Sequence, residues 1–226
     1  MSKNPTLRPI HPFPARMAPE IALEQSRSLA DNSVILDPMT GSGTVVRFAA
    51  ECGHTAMGFD LDPLAVLMAR VWTTPLAVNK LCQMAEELVR EAKAAPQHTK
   101  NLPWIDEDKE TTDFVDYWFG ERQKADLRQL AYLLSPMNTH EADALRIALS
   151  RIIVTKKRGA SLAWDVSHSR PHKVYEQTDF DVFGEFVNSV GFLAKRFQEQ
   201  PPPGNVEVRL GDGRKMPEVV AGSVDA

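Results

Sequence analysis

Cysteine is scarce in this sequence. Cys52 and Cys82 are too few for a disulfide framework, and their spacing suits no zinc site, so no metal is expected. Both read as ordinary buried thiols. No apolar run approaches the roughly 18 residues of a membrane span. The opening residues, MSKNPTLRPIHPFPARM, carry no apolar h-region. The expectation is a chain without signal peptide or membrane contact, placed in the cytoplasm. An excess of positive charge is also missing, since the formal net charge is −4. That excludes a wholly basic nucleic-acid coat but leaves room for a local basic groove. No repeat period is present, which argues against a solenoid. The apolar fraction, 43% of 226 residues, suffices for one large domain or for a core with a lobe.

The chain is organised around Val34 to Pro63, VILDPMTGSGTVVRFAAECGHTAMGFDLDP. An apolar run, Val34-Ile35-Leu36, ends in Asp37. A small, glycine-bearing turn follows, then a helical pattern from Val45 to Glu51 that Gly53 stops. A second strand-like run, Thr55 to Phe59, ends in Asp60. Strand, glycine turn, helix, strand and acid make the layout of a nucleotide-binding βαβ unit. Gly41 and Gly43 let the backbone turn sharply and let a ligand approach it. The following helix offers free N–H groups at its start. Asp60 follows Asp37 at close to the roughly 20-residue offset at which an acid meets ribose hydroxyls. A dinucleotide fingerprint needs a third glycine three residues after Gly43, where Val46 stands. That departure disfavours a nicotinamide enzyme.

DPMTGSGT followed by GFDLDPLAVLMAR resembles motifs I and II of S-adenosylmethionine-dependent methyltransferases, of the kind that methylate amino groups of nucleic-acid bases. The resemblance implies that Asp37, Pro38, Thr40, Gly41, Ser42, Gly43 and Thr44 surround the methionine part of the cofactor. Asp60 would take the ribose hydroxyls, and Leu61 would lie against the adenine. Upstream, His11-Pro12-Phe13-Pro14-Ala15-Arg16 is similar to the element called motif X, which precedes motif I in some DNA methyltransferases. On that likeness Phe13 would pack on the cofactor, with His11 or Arg16 near its carboxylate.

The flanking elements are legible. Pro19-Glu20 starts a helix well and carries it to about Leu29, with Asp31-Asn32 turning the chain into the first strand. Asp62 is a natural N-cap with Pro63 at the first helical position. Lys80 to Ala95, Glu121 to Leu134, Glu141 to Val154 and Phe180 to Gln200 read as helices, the third started by Asn138-Thr139. Residues 96–116 read as polar and irregular. Within this mainly helical stretch, Lys156, Lys157, Arg158, His168, Arg170, His172 and Lys173 form a basic loop with serines interleaved, suited to DNA phosphates. After Pro201-Pro202-Pro203-Gly204, Val206 to Leu210 alternates as a strand and ends in Gly211-Asp212-Gly213. By resemblance, Asp212 is the acid that reaches the cofactor's adenine amino group.

The expected fold is α/β: a Rossmann-like methyltransferase sheet, incomplete at about its first three strands, with an inserted helical lobe. Residues 1–76 form the first part of the cofactor-binding core, 77–204 the lobe, and 205–226 the resumption of the core. In the family a fourth strand, beside the first, ends in a catalytic Asp, Asn or Ser followed by Pro-Pro-Tyr or Pro-Pro-Phe. No such tetrapeptide occurs among the 226 residues, so no catalytic residue is named. The resemblance then implies the cofactor-binding part of a DNA methyltransferase acting on adenine N6 or cytosine N4, inactive alone. Methylation at cytosine carbon 5 needs a Pro-Cys nucleophile, and neither cysteine follows a proline. The chain is expected to be a truncated or split product whose first strand has an open edge. That edge would favour self-association or a companion chain. The alternatives are an RNA amino-methyltransferase, a non-catalytic cofactor-binding subunit and a small-molecule methyltransferase. The short segment before Val34 leaves no room for an RNA-binding domain, and the basic lobe speaks against a small-molecule substrate.

Overall fold

The computed structural model of the protein describes residues 7–12, 17–95, 101–153, 155, 158–164 and 172–226. Two compact units divide the chain: one joins residues 1–76 to 196–226, the other is Ala77–Lys195. The second boundary falls inside a helix, α9.

The first unit opens with buried Leu7, Ile10 and His11, followed by α1 (Pro19–Ser28). Proline in the first turn and Glu20 at the positive end suit the start of α1. β1 (Val34–Asp37), α2 (Thr44–Glu51), β2 (Thr55–Asp60) and α3 (Pro63–Thr73) follow, and β5 (Val206–Leu210) completes the sheet. The sheet is parallel in the order β1-β2-β5, with Asp37 opposite Gly58 and Asp60 opposite Leu210. Ile35, Ala56 and Val208 from the strands pack with Val46 and Ala49 of α2 and with Val66 and Ala69 of α3. The expected N-cap of α3 is present, with the Leu64 N–H donating to Asp62 Oδ1 at 2.8 Å.

Arg47 of α2 is fully buried. Its guanidinium donates to the carbonyls of Trp72 at 2.5 Å and Pro201 at 3.1 Å, and to Glu51 at 2.6 Å. It thus ties α2 to the end of α3 and to the segment that leads into β5. Burial pushes this guanidinium below its ordinary range, and Glu51 opposes that effect.

The expectation of an open β1 edge needs correction. The Asp225 N–H donates to the Val34 carbonyl at 2.8 Å, and the Leu36 N–H donates to the Ala226 carbonyl at 2.8 Å. These bonds run in the parallel sense. The Asp225 carboxylate also accepts from the Val34 N–H at 2.8 Å. β1 is so short that these residues meet most of the backbone groups facing that side.

The second unit contains α4 (Val78–Ala94), α5 (Pro103–Asp106), α6 (Lys109–Trp118), α7 (Glu121–Leu134) and α8 (His140–Ile153). A small antiparallel pair, β3 (Ala163–Trp164) with β4 (His172–Lys173), follows, and then most of α9 (Val182–Glu199). Leu81, Ala85 and Leu88 of α4, Leu127, Leu130 and Leu134 of α7, and Leu145, Ala148 and Ile152 of α8 are buried, the i, i+3 or i+4, i+7 pattern of packed amphipathic helices. Thr139 caps α8 by accepting the Ala142 N–H at 3.1 Å. Arg146 closes the end of α7 by donating to the carbonyls of Leu134 and Met137 at 2.7 and 2.6 Å. The expectation of irregular chain over 96–116 is corrected by α5 and α6 from residue 103 onward, while 96–100 lie outside the described residues. Asp108 caps α6, accepting the Thr111 N–H at 3.0 Å. No residue of α6 is buried, so no clear apolar stripe announces it.

No helix among the described residues is long and apolar enough to cross a membrane. No cluster of three or more metal-ligating side chains occurs among them.

Candidate functional site

Parallel pairing puts the ends of β1, β2 and β5 at one side of the sheet. Asp37, Asp60 and the Gly211-Asp212-Gly213 turn therefore meet there, although they lie far apart in sequence. This is the side at which open α/β sheets bind ligands.

The glycine turn is clamped onto β2. The Thr40 N–H donates to the Phe59 carbonyl at 2.8 Å, and the Gly41 N–H donates to Asp60 Oδ2 at 2.8 Å. The other Asp60 oxygen accepts from the Asp62 N–H at 2.9 Å. Gly43 sits at φ 89°, and a Cβ there would stand 2.9 Å from both Cα and Cβ of Ala69. Only glycine serves both the left-handed backbone and the close approach of α2 to α3. At Gly213 a Cβ would stand 2.4 Å from the Pro38 carbonyl oxygen, so the turns after β1 and β5 also touch.

A cavity of about 520 Å³ lies among Pro38, Met39, Asp60, Leu61, Gly211, Asp212, Gly213 and Arg214. Met39 and Leu61 are 81% and 67% exposed, two large apolar side chains facing an open site. Within the glycine turn, Thr40 Oγ1 and Ser42 Oγ are buried without a hydrogen-bond partner. α2 has no side-chain cap. Buried hydroxyls and helix-start N–H groups without partners are costly unless a ligand meets them.

Burial pushes the Asp37 carboxyl above its ordinary value; a hydrogen bond from the Met39 N–H, 3.1 Å, pulls it down, and the nearby Asp60 charge raises it again. Asp212 behaves oppositely. The Arg214 side chain, then its backbone N–H, hold the Asp212 carboxyl down at about 2.

Of the residues expected at a cofactor site, Pro38, Asp60, Leu61 and Asp212 line the cavity; Asp37, Thr40, Gly41, Ser42, Gly43 and Thr44 lie in the adjoining strand end and turn and are not part of its lining. His11 is buried, and Phe13 and Arg16 lie outside the described residues. Sequence reasoning missed Met39 and Arg214 as cavity-lining groups. Their signal was adjacency: Met39 lies within the turn, and Arg214 stands two residues after Asp212.

Of the basic residues, Lys156, Lys157, His168 and Arg170 lie outside the described residues. His172 and Lys173 are exposed on β4 rather than in a loop. Lys173 Nζ lies 5.0 Å from the centre of the Tyr117 ring. Arg158 donates to Thr178 Oγ1 at 3.1 Å and pairs with Asp179.

The parallel sheet, the glycine turn and acids at the strand ends define a Rossmann-like, methyltransferase-like α/β fold. Comparison with known proteins agrees with that class. The chain is 29% identical over 122 residues to the type II methyltransferase M.MvaI of Kocuria varians, covering 49% of this chain and 25% of that protein. It is 28% identical over 96 residues to the type II methyltransferase M.MjaII of Methanocaldococcus jannaschii, covering 41% of this chain and 17% of that protein. The chain is therefore related to type II methyltransferases, and the matched stretches span a quarter or less of those relatives' lengths. No family model and no solved structure matches it.

Proposed function

We propose that this chain is the S-adenosylmethionine-binding part of a DNA methyltransferase that modifies an exocyclic amino group, adenine N6 or cytosine N4. One observation carries the reading: acids at the ends of three parallel strands lie around a glycine turn with two buried, partnerless hydroxyls, and an open cavity lies among Pro38, Asp60, Leu61 and Asp212. Those groups fit the cofactor chemically. Asp37, Thr40, Ser42 and the start of α2 would hold its amino-acid end. Asp60 would accept from the ribose hydroxyls, Leu61 would lie on the adenine, and Asp212 would accept from the adenine amino group. When bound, the cofactor supplies a methyl group on a sulfonium, ready for transfer to an amino nitrogen. The protein's contribution is orientation and exclusion of water, on a base removed from its stack.

The catalytic Pro-Pro-Tyr-type motif is absent from the 226 residues. We propose that residues outside these 226, of this protein or of a companion, supply it beside β1, where Asp225 and Ala226 already pair. The backbone bonds from Asp225 to Val34 and from Leu36 to Ala226 support that position. Residues 77–204 would act as an inserted lobe whose Arg158, His172 and Lys173 meet the DNA backbone. The missing motif also favours a second reading, a non-catalytic cofactor-binding subunit.

Calorimetric titration with S-adenosylmethionine tests the cofactor reading. The chain should bind, and Asp60→Ala should abolish binding. Because Asp60 also clamps the glycine turn, Asp60→Asn, which keeps one acceptor, should lose affinity roughly 10- to 100-fold while melting closer to wild type. A cooperatively melting wild-type chain that takes up no cofactor would sink the reading.

A further inference from the structure

The Asp212 carboxylate is already engaged. Arg214 Nε donates to Oδ1 at 2.9 Å and to Oδ2 at 3.1 Å, and Nη2 donates to Oδ2 at 2.7 Å. The Arg214 N–H adds a bond to Oδ1 at 3.0 Å. Both oxygens are therefore met by one residue, which also lines the cavity with Leu61 and Met39. The Arg214 side chain is 85% exposed, the Asp212 side chain only 25%. Its guanidinium is thus free to leave toward water, whereas the carboxylate is held against the turn.

We propose that Arg214 is a reversible latch on the adenine subsite. It occupies the carboxylate that an incoming amino group must reach, and it sets affinity and discrimination for adenosine-bearing ligands through that competition. This rests on the cofactor reading given above. A ligand amino group donates to Asp212 only when the side-chain bonds from Arg214 are released. An exposed ion pair is weak and is screened by salt, so the latch is easily opened. Removing the guanidinium leaves the Asp212 turn intact, because the backbone N–H bond of residue 214 and the bond from the Lys215 N–H to the Asp212 carbonyl, 2.8 Å, do not depend on it.

The test is calorimetric titration of wild type and Arg214→Gln with S-adenosylhomocysteine, which has no sulfonium charge, at low and high potassium chloride. Arg214→Gln should bind about two- to five-fold tighter at low salt, the range an exposed pair spans. Wild type should tighten toward the variant as salt rises, while the variant stays flat. S-inosylhomocysteine, which has a keto oxygen in place of the amino group, should show no gain from the substitution. Equal or weaker binding by Arg214→Gln overturns the latch while leaving the cofactor reading standing. The same gain for the inosine analogue also overturns it. If a cooperatively melting wild type binds neither ligand at either salt, the cofactor reading falls and the latch falls with it.

Discussion

Asp37 carries a conflict between stability and binding. Its carboxyl is pushed up from the ordinary 3.8, chiefly by burial. Between that value and the raised one, the folded chain binds more protons than the unfolded chain. Stability therefore falls as pH rises through this window, and the deficit is complete above it. Asp37→Asn removes the deficit without removing an acceptor for the Met39 N–H. The variant without cofactor should melt higher than wild type near neutral pH, and the gain should vanish below 3.8. The same variant should bind S-adenosylmethionine roughly 10-fold or more weakly, because a charge-assisted hydrogen bond to the cofactor is removed. A melt that shifts down at neutral pH would refute the burial argument. Arg47 is the opposite kind of residue, a buried charge whose two terminal nitrogens both have partners. Arg47→Met strips donors from the Trp72 and Pro201 carbonyls and leaves Glu51 unpaired. It should destabilise the first unit by about 2–4 kcal/mol, read from denaturant unfolding.

At the scale of elements, the site depends on how closely α2 approaches α3 and how closely the turns after β1 and β5 meet. Gly43→Ala meets both a left-handed backbone and Ala69 at 2.9 Å. The expected cost is about 1–3 kcal/mol, with cofactor affinity falling in step, because the start of α2 must move. Thermal melting and calorimetry on one sample would check both. Several helices and strands were legible because their punctuation is local: Pro19-Glu20, the glycine turn, Asp62-Pro63, Asn138-Thr139. α6 was not legible, because exposed Phe114 and Tyr117 interrupt any polar face and nothing along it is buried. β3 and β4 are two residues each, too short for alternation to register.

At the scale of the molecule, net charge is negative, so the proposed DNA binding would come from local groups rather than from the whole field. Arg158 and Lys173 are the described arginine and lysine of the expected basic stretch, and both are exposed. Arg158→Gln with Lys173→Gln should weaken DNA binding across sequences. It should also lower the slope of log affinity against log salt by roughly one unit for each phosphate that is no longer neutralised. Fluorescence anisotropy over a salt series would measure that slope. An unchanged slope would remove these two residues from the DNA interface.

The amino-acid sequence by itself determined the βαβ order, the glycine turn, the helix caps and the acids at the strand ends. Those features arise from neighbours in the chain: φ at Gly43, the Asp62 cap, the polar stop after each apolar run. The resemblance to DNA methyltransferases was legible for the same reason, since motifs are local strings. Only the tertiary structure decided that Asp60 clamps Gly41, that Arg47 is buried across three segments, that residues 225–226 pair with β1, and that Arg214 holds Asp212 beside the cavity. Most of these partners are remote in sequence, and spacing along a chain carries no information about which distant backbone group will stand within about 3 Å of a side chain or a strand edge. Arg214 is near Asp212 in sequence, but only the fold places that pair at the cavity with Pro38, Asp60 and Leu61.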